Sequence, residues 1–407
     1  MKKMLGILMV LAIFMNGITV QAYESETGVM SANVTEAEFE ECVKITALDW
    51  AAMIYPDVDL TVGNMDYILN ESSEPEYAVS FFSQSTPYGY AVIAFDDGDA
   101  FVKEGQILQG TKGLREKIID MMDDTVISSK NLQISNVLIE IAPMQYAVVT
   151  KEAGSKVDRV YDSCSNQHNP EDISMIATLS DEMLFGTSQY NSSKSIFITG
   201  DNWIPSKYNV KSELTLKKYT DRSFMICIEN AEQRLKKYAC GVQALLQIAY
   251  MENLCNSDWN VIKNVYNTLW SYTNTKETAE SKNDTSTDVI YGETYISDAA
   301  KGFVRFAKEG GYKNTEVKNI ETDPSVAWLK NKLEYNRPIL MSYGINVKGK
   351  REGHFISILG YRRATKVASG NTYDYLMVYD SWRGAPVYLN YSTVDMTDCY
   401  ATYFWVK

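Results

Sequence analysis

From residue 240 onward the hydrophobic period changes once, from about four to two, and that switch constrains the fold more than any other feature of the chain. Cys240 to about Asn253 is apolar on nearly every side. Val242, Leu245, Leu246 and Ala249 form one stripe, and Ile248 and Met251 widen it, as in a helix buried nearly all round. Helices follow at Asp298 to Lys308 and Ser325 to Tyr335, the second stopped ahead of Pro338. Strand-like runs then take over: Ile339 to Tyr343, His354 to Tyr361, Tyr373 to Tyr379, Pro386 to Tyr391 and Tyr400 to Val406. Helices first and an antiparallel sheet last define an α+β arrangement.

The first half shows the same mixture on a smaller scale. Thr35-Glu36-Ala37-Glu38 opens a capped amphipathic helix that carries Phe39, Cys42, Val43, Ala47, Trp50 and Ile54 at three-to-four spacing. Tyr77 to Phe82 and Tyr88 to Phe95 read as a hairpin closed by the Asp96-Asp97-Gly98-Asp99 turn, a solvated turn rather than a calcium loop. A helix at Leu114 to Met122 and strands at Ser135 to Ile141 and Tyr146 to Thr150 complete this half. The polar stretch Gly154 to Ser174 reads as an exposed connector, irregular sequence runs on to about Arg222, and a short element follows at Ser223 to Ile228. Thr273 to Asp288, with one Ala and no larger apolar residue, reads as an exposed loop.

Residues 1 to 22 have the form of a secretory signal: Lys2 and Lys3, an apolar stretch from Met4 to Met15, then Val20-Gln21-Ala22. That stretch is too short to span a bilayer, and nothing later reaches spanning length, so export with cleavage after Ala22 is expected, and no transmembrane segment afterwards. The expected divisions are a signal at 1–22, an α+β unit at 23–150, a connector at 151–194 and the second unit at 195–407. A net charge of -13 argues against nucleic acid as a partner. Six cysteines in 407 residues are too sparse for a disulfide scaffold. Cys240 and Cys255 are too far apart on one helix to bridge, and no pairing of Cys164 with Cys227 is supported.

Two histidines, His168 and His354, set the chemistry, because imidazole-dependent catalysis must use one of them. With neither CxxC nor HExxH spacing, no metal and no cofactor are expected. His168 lies in the polar connector and reads as exposed and idle, which leaves His354. Cys240 opens the buried helix, where first-turn amides and the helix dipole favour a thiolate, with Lys236 and Lys237 pushing the same way. Gly353-His354 begins one strand and Tyr379-Asp380-Ser381-Trp382-Arg383-Gly384 ends the next, so an antiparallel hairpin sets His354 beside Asp380. A thiol nucleophile, an imidazole to exchange its proton and a carboxylate to fix the imidazole tautomer form a coherent set. The oxyanion falls to the Cys240 amide and a side-chain donor, Gln233 first and Asn230 second.

In these motifs the chain resembles the papain-like cysteine peptidases, in the bacterial branches that include streptopain and the C39-like peptidases. The resemblance covers roughly residues 225 to 407, through Cys240-Gly241, Gly353-His354 with Leu359-Gly360-Tyr361, and Asp380-Ser381-Trp382-Arg383-Gly384. It implies a papain-like domain with Cys240 as nucleophile, His354 as base, Asp380 as orienting group and Gln233 as oxyanion donor. The first half resembles the propeptide of streptopain-type zymogens. The expectation is therefore a secreted cysteine endopeptidase made as a zymogen, with peptide or protein as substrate and its own N-terminal prodomain over the cleft. Two rival readings use the same residues: a Cys-His amidase or acyl transferase acting on cell-wall peptides, and a secreted inactive homologue that binds a partner through the former cleft.

Overall fold

The computed structural model describes residues 22–24, 30–32, 36–70, 75–96, 99–122, 131–163, 167–173, 175–176, 179–186, 208–216, 222–283, 288–347, 350–367, 369–381, 386–394 and 396–407. Most of the expected signal segment, the Thr35 cap, Cys164 and Trp382-Arg383-Gly384 lie outside the described residues.

The protein is a mixed α and β molecule built on a large, mostly antiparallel sheet. Helix α1 (Glu36–Ile54) precedes strands β1 (Thr61–Leu69), β2 (Glu76–Ser83), β3 (Thr86–Asp96) and β4 (Asp99–Ile107). Helix α2 (Leu114–Asp120) and strands β5 (Leu138–Ala142) and β6 (Gln145–Glu152) follow. Beyond β7 (Tyr208–Thr215) come helices α3 (Arg222–Leu235), α4 (Cys240–Met251), α5 (Trp259–Tyr272), α6 (Ile296–Glu309) and α7 (Val326–Glu334). The chain ends in β8 (Ile339–Val347), β9 (Lys350–Lys366), β10 (Thr372–Tyr379), β11 (Val387–Asn390) and β12 (Thr397–Trp405). No described helix is long and apolar enough to cross a membrane.

The 17-residue strand β9 is the spine of the sheet. It pairs with β8 along its first half, with β7 along its second, and with β10 on its other edge. The last residues β9 and β10 share are Ser357 and Tyr379. Side-chain alternation sends Phe355 and Leu359 toward the helical face, where Val242, Leu245 and Phe303 lie, and Ile356 and Ile358 toward Leu329 and Leu333 of α7. The expected sequence of helices followed by strands is therefore present, with one sheet covered on both sides.

Strands of the two halves also join. Strand β11 pairs antiparallel with β4, Tyr388 opposite Gly105 and Leu389 opposite Glu104, so the hairpin of the first half continues the sheet of the second. Trp50 of α1 lies edge-on to Tyr388 at 5.9 Å between ring centroids and against Tyr375 at 6.3 Å. A Cβ on Gly105 would stand 2.4 Å from the Trp50 ring, so the tryptophan requires glycine there.

Several expectations change. The segment Thr273 to Asp288 is not an open loop: residues 276–277 form a short strand, 279–283 a helical turn, and Thr273, Thr275 and Ser281 are buried. Its polar side chains satisfy each other, with the Thr273 and Thr275 hydroxyls 2.7 Å apart and Thr275 2.6 Å from the Thr294 hydroxyl. Threonines can be buried when their hydroxyls are paired, which composition does not reveal. Strands β1, β4 and β7, helix α5 and the full length of α3 are additional elements, and the stretch Gly154 to Ser174 is not an open connector, because Arg159–Asp162 pairs with β6 and Val160, Asp162 and Ser163 are buried. Strand β1 is interrupted by a register shift between Val62 and Met65, and β7 is polar and half exposed, so neither shows a clean period of two.

Candidate active site

Helix α4 starts without a side-chain cap. Its N-cap, Ala239, is extended and buried, and its N–H donates to the Glu232 carboxyl at 2.9 Å. The chain reverses at Lys236, a non-glycine residue at φ 54, and runs through Lys237-Tyr238, paired parallel with Ile290-Tyr291. The Tyr266 hydroxyl donates to the Lys237 carbonyl at 2.9 Å and lies 3.3 Å from Glu232. The Gln243 side-chain amide donates to the Ile228 carbonyl at 2.7 Å, tying the first turn of α4 to α3. These contacts together hold the helix tip.

Cys240 sits at that tip. Its sulfur faces the backbone N–H of Phe355, the residue that follows His354, along the stretch of β9 where pairing with β10 has ended. The approach needs Gly241, because a Cβ there would lie 3.3 Å from the Phe355 ring and 3.1 Å from Thr294. From the other side the Ser381 hydroxyl donates to the Cys240 carbonyl at 3.5 Å, with Ser381 at φ 76 and buried. The nucleophile candidate is therefore bonded on one side to the neighbour of His354 and on the other to the neighbour of Asp380.

His354 and Asp380 are 1% and 0% exposed. His354 is the direct cross-strand partner of Tyr343, whose ring stands edge-on to the imidazole with centroids 5.4 Å apart. By strand alternation His354 lies on the face of Tyr343 and Ile356, opposite the Phe355 face that Gly241 and the tip of α4 approach. The two strands pair antiparallel, as expected, but their pairing stops at Ser357 and Tyr379, short of both His354 and Asp380.

The electrostatics differ from expectation. Cys240 is half-buried as a residue, yet desolvation of its sulfur dominates and pushes the thiol up to about 12. The Phe355 N–H works against that rise, while the Glu232 carboxylate adds to it. The helix N-terminus does not prevail because the sulfur is withdrawn from water. Neither lysine rescues it: exposed Lys236 pairs with Asp288, and Lys237 donates to Asn267 at 3.2 Å and lies over the Trp270 ring. Glu232 is itself pushed up to about 8, first by burial, with the Ala239 N–H and the Tyr266 hydroxyl opposing.

Gln233 is exposed on α3, and it is its neighbour Glu232, 3% exposed, that enters the interior. Asn230 belongs to α3, with its side chain outside those described. Glu232 could have been found from the sequence, because it falls on the helical stripe of Phe224, Ile228 and Ala231, a position where an acid must have partners. His168 is not idle: it is half-buried, with Nε2 2.7 Å from Oδ2 of buried Asp162, which lies on the strand that pairs with residues 167–168. Cys227 is a free, half-buried thiol whose sulfur lies 3.8 Å from the Ser257 carbonyl and which packs against the main apolar cluster. Among the described residues no cluster of His, Cys, Asp and Glu could hold a metal ion.

No family model matches the chain, and no curated protein matches it. Among solved structures, the chain is similar to that of the active wild-type Prevotella intermedia interpain A cysteine protease, at 14% identity and a TM-score of 0.25. The match covers 39% of this chain and 62% of that one, so the chain spans about three fifths of that protein's length. A likeness of that degree fixes neither fold nor site.

Proposed function

We propose that the protein is a cysteine peptidase of papain-like arrangement, with Cys240 as nucleophile, His354 as general base and Asp380 as the group that orients the imidazole. The observation that carries this reading is the double attachment of the α4 tip, through Phe355 to the strand of His354 and through Ser381 to the strand end of Asp380. In the active form His354 must reach the Cys240 sulfur, which attacks the peptide carbonyl carbon as the imidazole takes the thiol proton. The C–N bond breaks as His354 returns that proton to the leaving amine, and water then hydrolyses the thioester. The Cys240 backbone amide at the helix start is the first donor to the developing oxyanion.

The full chain in this reading is a latent precursor, exported and then cut in the connector at 151–194. Latency is supported by the burial of His354 and Asp380 and by a thiol held protonated at neutral pH. Casein hydrolysis, followed together with the mass of the chain, tests the proposal. Cys240→Ala is expected to abolish both hydrolysis and self-processing, and persisting hydrolysis in that variant would refute it. Soluble fragments from purified peptidoglycan, with casein left intact, would move the assignment to a cell-wall amidase.

A further inference from the structure

Among the described residues, Glu232, Phe355 and Ser381, which act on Cys240, and Thr294, which faces Gly241, all belong to the second half of the chain. The first half meets the second elsewhere. Lys366, at the far end of β9 from His354, forms an ion pair with Asp99 in which both side chains are 3% exposed, and it also donates to the Ala100 carbonyl at 2.7 Å. Asp99 accepts two further hydrogen bonds from the second half, from the Asn371 amide at 2.8 Å and the Tyr373 hydroxyl at 3.2 Å. Asn390 donates its amide to the Val102 carbonyl at 3.1 Å, Arg362 donates to the Met53 carbonyl at 2.9 Å, and one apolar cluster runs from Trp50 through Tyr375 to Phe404.

We infer that the first half is a permanent part of the protein, which stays seated on the second half after the connector is cut. An inhibitory segment made to leave would carry a polar, hydrated interface over the cleft. This one shares a sheet, an apolar core and a fully enclosed charge pair with the rest, the make-up of an obligate interface. Separation would expose the edges of β4 and β11 and the ring of Trp50. It would also withdraw a support of the site: the Tyr343 hydroxyl, whose ring lies against His354, donates to the Pro143 carbonyl at 3.3 Å, in the turn between β5 and β6. Latency is then relieved by movement of the second half's own segments around Cys240, without loss of the first half.

The inference is independent of the chemistry at Cys240 and is tested without it. In a Cys240→Ala background, a Gly/Ser-flanked site for a sequence-specific protease is inserted within 187–194 of the full chain, and the protein is cut and run on native gel filtration from micromolar to nanomolar concentration. Both fragments are expected to elute together at the mass of the intact chain, and to part only in denaturant. Elution of the N-terminal fragment alone under native conditions would overturn the inference. Asn371→Ala, which removes one hydrogen bond from the Asp99 carboxylate, is expected to shorten the lifetime of the cut pair by about tenfold. An unchanged lifetime would contradict the role given to this clamp.

Discussion

At the scale of single residues, burial decides the ionisation of both Cys240 and Glu232, and the consequences are measurable. A thiol pushed up to about 12 is almost wholly protonated at neutral pH, so alkylation of Cys240 in the full chain should be slow and should rise about tenfold per pH unit between pH 7 and 10. A rate already level at pH 7 would contradict the enclosed sulfur. Glu232 keeps its proton up to about 8 in the folded protein, whereas the unfolded chain releases it near the ordinary 4.5. Between those values the native state binds more protons than the unfolded state, so its stability falls as pH rises through that window. Glu232→Gln retains an acceptor for the Ala239 N–H and lacks the titration. Its urea midpoint should exceed that of the wild type at pH 8, with the gap closing toward pH 4.5. The sequence singled out Cys240, His354 and Asp380 because a thiol at a helix start and a His and an Asp near the ends of neighbouring strands are local signs. It did not show the state of the thiol, because desolvation depends on every segment that folds over it.

Among the elements, the approach of α4 to β9 is the critical one. Gly241→Ala places a methyl 3.3 Å from the Phe355 ring and 3.1 Å from Thr294, and overpacking of that kind costs about 1–3 kcal/mol. Its thermal midpoint should fall, and the helix tip should move off the Phe355 N–H, which a changed pH dependence of Cys240 alkylation would report. An unaltered midpoint would mean that the two elements are farther apart than described. Elements with a strong period were readable from residue order: α1, α4, α6, α7 and the run from β8 to β12. Those missed obtain their order from partners distant in sequence. Strand β7 exists because it pairs with the second half of β9, from Tyr208 opposite Lys366 to Thr215 opposite Gly360. The threonines of residues 273–275 are buried because Thr294 completes their chain of hydroxyls.

For the whole molecule, the union of the two halves was the least legible feature, since nothing in residues 99–107 announces β11 as a neighbour. It carries its own expectation. Lys366→Met leaves Asp99 enclosed and uncompensated, which costs about 3–5 kcal/mol, so the urea midpoint should drop sharply while both halves still unfold in a single transition. Two separate transitions in the wild type would show that the halves are energetically independent. The central claim concerns the meeting of Cys240 with the strands of His354 and Asp380, and the most direct measurement is covalent labelling of the processed protein by a peptide-based thiol affinity probe, with the labelled residue located by mass spectrometry. The account predicts label on Cys240, lost in His354→Ala and in Cys240→Ala together with casein hydrolysis. Hydrolysis that survives Cys240→Ala, or label placed instead on Cys227, would contradict it.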